Sequence, residues 1–389
     1  MPNREFDVVV FGATGFTGRL VAEYLAAQHS DVKWAMAGRS EDKLAQVRDL
    51  MGAPKDTPLI VADSDDGASL DALAARSKAV ITTVGPYQLY GEPLVAACAA
   101  AGTDYVDLCG EPAWMVDIID RYDAAAKKSG ARIVLSCGFD SIPFDLGVYH
   151  LQQHAIEATG APLTRVKGRV RKMKGTFSGG TAASFAESMK RAAKDPQVLG
   201  RLRDPFALTP GFTGPKQPHG MKPVHEEDLG SWSAPFIMAS INTKNIHRSN
   251  ALLGHRYGED FVYDEMMLTG PGEQGEQMAN HVASDNSMAT NPPKPGEGPS
   301  KEERETGFYD VMFTGVDASG NRHTVGVTGD KDPGYGSTSK MLAEAGLCLV
   351  QDISRDATPG GVYTPAPAMG EALIARLTKN AGLTFTLES

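Results

Sequence analysis

From residue 6 to about residue 140 the chain alternates short apolar runs with longer amphipathic ones. The apolar runs are FDVVVF (6–11), VKWAMA (32–37), PLIVA (58–62), AVITTV (79–84), DYVDL (104–108) and ARIVL (131–135). They are too short for helices and carry successive apolar residues, as strands buried on both faces do. Between them lie GRLVAEYLAAQ, EDKLAQVRDLM, SLDALAARS, GEPLVAACAAAG and MVDIIDRYDAAAKKSG, with apolar residues at helical spacing. Strand and helix in alternation predict a parallel sheet with right-handed crossovers and helices on both faces.

Beyond residue 145 the rhythm changes. LTRVKGRVRKMKG (163–175) alternates with period two, and AASFAESMKRAAKD (182–195) reads as a helix. Residues 200–235 are rich in Pro and Gly and read as one long loop. Residues 305–330 read as a hairpin turning at Ala318–Asn321, after a Pro/Gly-rich linker at 291–300. Residues 338–353 and 368–381 read as helices. The expected fold class is therefore α/β: a Rossmann, doubly wound parallel sheet over 1–145, then an α+β domain with a mixed or antiparallel sheet over 146–332. The C-terminal helices, 333–389, are expected to pack back on the first domain.

Composition narrows the function classes. A net charge of −10 over 389 residues, with no basic domain, argues against a nucleic-acid binder. The four cysteines, Cys98, Cys109, Cys137 and Cys348, are scattered, which disfavours a disulfide framework or a zinc knuckle. No stretch reaches the ~20 apolar residues of a membrane span, and the N-terminus lacks the apolar core of a signal peptide. The expectation is a cytoplasmic protein, with peripheral membrane contact and a homodimer left open.

The chemistry starts in VVVFGATGFTGRL. Gly12, Gly15 and Gly18 stand between the first strand and the first helix, where a dinucleotide pyrophosphate needs close backbone approach. Ala13, Thr14, Phe16 and Thr17 complete that turn. NAD sites place an acid at the end of the second strand; here the strand ends in Gly38-Arg39-Ser40. Arg39, Ser40 and Lys43 suit a 2′-phosphate, which favours NADP(H). Asp63 is expected in the adenine pocket. Val84, Gly85, Pro86 and Tyr87 are expected beside the nicotinamide half, with Gly110, Glu111, Gly138 and Phe139 at the next two strand ends. No tyrosine has Lys four residues later (Tyr122 and Lys127 are five apart), so the short-chain dehydrogenase mechanism is disfavoured.

The stretches GATGFTG, AGRS, VGPYQLYGEPLVAACAAAGTDYVDLCGE, CGFDSIPFDLG, SGGTAAS, DPGY and GGVYTPAPAMGEALIARL resemble the saccharopine dehydrogenase-like oxidoreductases, in their enoyl reductase branch. The resemblance implies a Rossmann domain with an inserted α/β domain, NADP(H), and reduction of the C=C bond of an enoyl, lipid-like acyl substrate. Two alternatives stay open: a saccharopine-type imine or carbonyl reductase, and a non-catalytic NADP-binding protein at lipid surfaces. True saccharopine reductases carry Gly-(Leu/Phe)-Asp-Pro-Gly where this chain has Gly138-Phe139-Asp140-Ser141-Ile142-Pro143, which argues against an amino-acid substrate.

Catalytic candidates are Tyr87 as a proton donor, Asp140, and Cys137 near the cofactor. Asp140 and Ser141 are read first as turn caps, and Pro143 is expected to keep Ile142 out of a helix, making this exit a hinge. Glu111 is expected either to bond the nicotinamide ribose or to cap the next helix. His150 and His154 lack a third ligand, so no metal is expected. Arg165, Lys167, Arg169 and Arg171 share one strand face, which is either solvated or a dock for an acidic carrier protein or a CoA phosphate. The run around Trp232 and Phe236 is core or a substrate-pocket wall, with lipid contact left open.

Overall fold

The computed structural model describes residues 4–388 except 177, 292, 295 and 296; the last three belong to the 291–300 linker and lie outside the described residues. The first unit runs β1 (Phe6–Phe11), α1 (Phe16–Gln28), β2 (Trp34–Gly38), α2 (Glu41–Leu50), β3 (Leu59–Val61), α3 (Gly67–Arg76), β4 (Ser77–Thr82), α4 (Tyr87–Tyr90), α5 (Glu92–Ala101), β5 (Asp104–Val106), α6 (Pro112–Ser129) and β6 (Arg132–Val134). The second runs α7 (Ile142–Thr159), β7 (Arg165–Lys174), α8 (Gly179–Lys194), α9 (Pro196–Arg203), β8 (Val224–Glu226), β9 (Ser231–Pro235), α10 (Ala239–Leu252), β10 (Val262–Gly270), α11 (Gly272–Ser284), α12 (Ser287–Thr290), α13 (Lys301–Thr306), β11 (Phe308–Val316) and β12 (Arg322–Gly329). A π-type turn at Pro333–Ser337 leads to α14 (Thr338–Gln351), β13 (Gly361–Tyr363), α15 (Pro365–Asn380) and β14 (Leu383–Glu388).

Two seven-stranded sheets result. The first, β3-β2-β1-β4-β5-β6-β13, is parallel throughout. Val8, Val9 and Val10 are fully buried, because helices cover both faces of β1. Strand order reverses between β1 and β4, the place where such sheets open a ligand crevice at their carboxyl ends. The second sheet, β14-β12-β11-β7-β10-β9-β8, is mixed: β7 and β10 are parallel and its other pairs antiparallel. One apolar core runs without a break from β1 through α7 to β12. Gly147 on α7 makes this junction close, since a Cβ there would sit 2.3 Å from the Phe313 ring.

Several expectations change. The C-terminal segment does not return to the first unit alone. α14 packs on α1, β4 and β5, β13 extends the first sheet, and β14 extends the second. The supposed loop at 200–235 contains the end of α9 together with β8 and β9. β8 is a three-residue polar edge strand, which leaves no period to see. Ile142 is helical: it opens α7, with Pro143 in the first turn. First-turn amides have no partner inside a helix, so the missing N–H of proline costs nothing there. The exit from the first sheet is therefore a helix start and not a hinge.

The four cations of β7 are not free. Arg165 pairs with Asp264, and Lys167 with Glu226 and Asp228. Arg169, buried, bridges Glu226 and Asp264, and Arg171 bridges Asp310 and Glu388. The sheet thus pairs this face with acids from its other strands and a loop, so none of the four cations stands unpaired for an acidic partner. Phe236 lies in the core, and Trp232 is half-buried against His225.

Asp145, fully buried on α7, accepts the Ala366 amide (2.8 Å) at the start of α15, and among the described residues Ser249 is the one other side chain that opposes the rise of its pKa. Burial lifts this carboxyl from the ordinary 3.8 to about 7. The folded chain thus keeps a proton that the unfolded chain releases near 3.8. The associated stability is complete below that pH and is lost as pH rises through about 7. Asp145→Asn is expected to flatten the fall in unfolding free energy between about pH 5 and pH 8, by roughly 1–3 kcal/mol. Urea melts at the two pH values check it, and an unchanged slope would show that Asp145 does not hold the proton.

Candidate functional site

The first cluster forms where β1 meets α1. Gly12 takes φ +86°, a backbone state that side chains resist, and donates its N–H to Ala37 O (2.9 Å). A Cβ on Gly18 would lie 2.1 Å from Gly12 O and 2.7 Å from Thr83 Oγ1, so glycine is required for α1 to sit this close to the sheet. Gly15 precedes α1 and brings no capping side chain. Among the described residues, the amides of Phe16, Thr17 and Gly18 have no hydrogen-bond partner. Three free donors at a helix N-terminus fit a phosphate group. Ala13 is buried and Thr14 half-buried between them and Gly38.

At the end of β2, Arg39 is exposed. Ser40 caps α2 by accepting the Lys43 amide (3.4 Å), which leaves its hydroxyl proton available, and the Lys43 side chain is exposed. Asp63 turns inward on its own loop: its carboxylate accepts the Asp65 amide (3.2 Å). Arg39, Ser40 and Lys43 thus stand within the β2–α2 turn and the first turn of α2, with Arg39 and Lys43 exposed.

The second cluster lies at the carboxyl ends of β4, β5 and β6. Glu111 is almost wholly buried and accepts the amides of Tyr87 and Gln88, both at 2.9 Å. Its side chain thus satisfies the start of α4 across the crevice and makes no such bond to α6, the helix that follows it. Burial raises its pKa, and the amides pull the other way. Tyr87 is buried against Trp114, with its hydroxyl donating to Thr82 O (3.2 Å) and accepting from Leu108 N (3.3 Å). Cys137 is buried with its thiol on Val134 O (3.6 Å). Burial drives both groups well above their ordinary pKa values. Gly138 backs onto Thr338 and Leu108, and Phe139 is wedged between Phe144 and Tyr309.

Asp140 differs from the other two catalytic candidates. Among the described residues its carboxyl has no hydrogen-bond partner and no paired cation. It lies over Gly110, where a Cβ would come within 3.2 Å of Asp140 Oδ2 and 3.1 Å of Ile241 Cδ1. Burial alone lifts it to about 7. The next residue, Ser141, donates to Asn242 Oδ1 (2.8 Å) and accepts from Asn245 Nδ2 (2.7 Å). Asn242 donates to Glu265 (2.9 Å), which Tyr263 also bonds (2.9 Å). Burial lifts Glu265 to about 8. Sequence reading missed Asn242, Asn245 and Glu265. The available signal was an acid on the Tyr263-Glu265-Met267 stripe of β10, which otherwise faces the core. His150 approaches Glu371 (3.7 Å), and His154 meets His323 edge-on (ring centroids 5.8 Å apart).

The rim is apolar. Leu89 and Tyr90 on α4, and Phe185 and Met189 on α8, are exposed, and a Gln88–Ser188 hydrogen bond (3.1 Å) joins the two helices between them. No helix among the described residues is long and apolar enough to cross a membrane.

Residues 8–134 match the family described as saccharopine dehydrogenase NADP binding domain. Over 401 residues, 96% of both chains, the sequence is 43% identical to a Mycobacterium tuberculosis protein provisionally named a trans-acting enoyl reductase. It is 39% identical to the trans-acting enoyl reductase of Mycobacterium ulcerans over the same length and coverage. It is 40% identical to that of Mycobacterium bovis over 402 residues, again 96% of each chain. Among solved structures, the apo L-Glu-forming saccharopine dehydrogenase of Saccharomyces cerevisiae aligns over 98% of this chain and 99% of that one. With a TM-score of 0.56 at 12% identity, that likeness establishes the fold alone.

Gly18→Ala tests the first cluster. The added methyl must displace the Gly12 carbonyl, so dinucleotide affinity is expected to fall at least ~10-fold, about 1.4 kcal/mol. Fluorescence titration with NADPH reads it, and unchanged affinity would place the dinucleotide elsewhere.

Proposed function

The chain belongs to the trans-acting enoyl reductase family, and we propose that it reduces the C=C bond of an enoyl thioester with a lipid-like acyl chain, using NADPH. The observation that carries the dinucleotide half is the glycine turn with its three unpartnered amides, followed by Arg39 and Ser40 in place of an acid. When bound, the dinucleotide supplies the hydride. The chain's residues do the rest. The α1 amides take the diphosphate, and Arg39, Ser40 and Lys43 take the 2′-phosphate. Gly85, Pro86 and Gly110 line the edge where the nicotinamide half is expected.

The acyl half rests on the relatives and on the apolar rim of Leu89, Tyr90, Phe185 and Met189. A saccharopine-type substrate, with several carboxylates, needs free cations around the crevice. The strand cations of β7 are paired. The two buried cations of α10 are spent on carbonyls: Lys244 on Ser240 O, and Arg248 on Leu208 O and Val362 O. Around Asp140 the ionisable neighbours are an acid, a thiol and a phenol. The enoyl reading is favoured over the amino-acid one on these grounds.

NADPH oxidation against a panel of enoyl-CoA and enoyl-carrier thioesters, with saccharopine in the oxidative direction, decides it. Turnover of a long-chain thioester is expected. Inert thioesters with saccharopine turnover would overturn the reading, and tight NADPH binding with no turnover anywhere would favour a non-catalytic role at lipid surfaces. Arg39→Ala is expected to weaken NADPH at least ~10-fold more than NADH; equal loss would remove the 2′-phosphate assignment.

A further inference from the structure

We propose that Asp140 is the acid that protonates the α-carbon of the acyl substrate after hydride addition. The inference rests on the enoyl reductase reading above and adds the identity of its proton donor. The reaction needs one: once a hydride and its two electrons reach the β-carbon, the C=C electron pair moves onto the thioester as an enolate. A proton must then reach the α-carbon to complete the saturated product. Asp140 gives that proton, and its carboxylate takes another from water before the next turnover.

Position comes first. Asp140 follows the last residues of β6 at the carboxyl edge of the first sheet, over Gly110 at the end of β5, with Ile241 closing the second side. This is the crevice into which the dinucleotide turn of β1 opens, since β4 and β5 continue the sheet from β1 on the same side. The other candidates are spent. The Tyr87 hydroxyl and the Cys137 thiol are buried on backbone carbonyls, and the Glu111 carboxylate is held by two amides.

Asp140 is half-buried as a residue, and of these candidates only its carboxyl is free of partners among the described residues. Its surroundings keep it acidic at neutral pH. The ionisable groups that feel its charge are Cys109 beyond β5, Glu265 on β10 and Tyr335 in the π-type turn, and none is a cation. A carboxylate here has no counter-charge, so the proton is retained until about pH 7. The backbone of the turn is fixed independently, by Ser141 on Asn242 and Asn245, which aims the carboxyl without consuming it.

Asp140→Asn keeps size and shape and removes only the proton. NADPH affinity of the variant, by fluorescence titration, is expected to stay within about 2-fold of wild type, while enoyl reduction falls by roughly 10²–10⁴-fold. Asp140→Glu, which keeps an acid, is expected to restore part of the rate. Infrared difference spectra of the protein without substrate give a second readout. The protonated-carboxyl band lost between about pH 6 and pH 8, to which Asp107, Asp145 and Glu265 also contribute, should be weaker in Asp140→Asn than in wild type by one carboxyl. If wild type reduces enoyl thioesters and Asp140→Asn does so at the same rate and pH profile, the proposal is overturned and the function stands. If no thioester is reduced by wild type, the function falls and takes this role with it. An infrared titration identical in the two proteins would falsify the protonated state on its own.

Discussion

Everything at the carboxyl edge depends on one buried carboxylate, Asp107. Its Oδ1 accepts the amides of Cys109 (3.0 Å) and Ser136 (2.8 Å), and its Oδ2 accepts the Tyr105 hydroxyl (3.0 Å). Its own carbonyl takes the Cys137 amide (2.6 Å). Two neighbouring strands, β5 and β6, thereby hand their exit loops to the same side chain. Ser136 can hold φ +62° because its amide and hydroxyl are both engaged, the hydroxyl on Cys109 O (2.7 Å). With those loops fixed, Gly110 and Asp140 face each other. Burial lifts Asp107 to about 7 and the donated amides oppose it.

From this clasp the chain crosses to the second sheet with little slack. Ser141 lies at the crossing. It bonds two asparagines of α10, and one of them bonds Glu265 on β10. α7 starts at the next residue and packs its Gly147 face on Phe313 of β11. The turn from Ser136 to Ser141 is therefore held from both sheets, and the crevice wall moves only if both move.

The first sheet was legible because its signals are local. Each strand is apolar by itself, each helix has its period, and the glycine turn sits between β1 and α1. What stayed hidden depends on partners far away in sequence. β13 is three residues long and is a strand only because β6 offers it an edge. Arg165 to Arg171 read as a free basic face because Asp264, Glu226, Asp310 and Glu388 lie on other strands or at the far terminus. Pro143 carried a rule about helix interiors into a place where helices begin. Glu111 read equally as a ribose ligand or a cap of its own helix, and it caps a different one. The polar groups of the crevice were hidden for a different reason: the Tyr87 hydroxyl and the Cys137 thiol are taken by nearby carbonyls, of Thr82 and Val134, and only the turn geometry decides that they meet.

The pattern of charge that results bears on what such a crevice can hold. Its acids, Asp107, Asp140 and Glu265, are lifted by burial, and the two buried cations of α10 are bound to backbone carbonyls. An ionised, multiply carboxylated substrate would enter against the desolvation cost and find no free counter-charge. A neutral thioester meets neither penalty. On the proposed function, dinucleotide phosphates at the α1 amides and at Arg39 would add to any anion nearby, a cost that an uncharged reacting group avoids. With burial raising all three, less negative charge stands at the substrate's place than three ordinary carboxylates would bring.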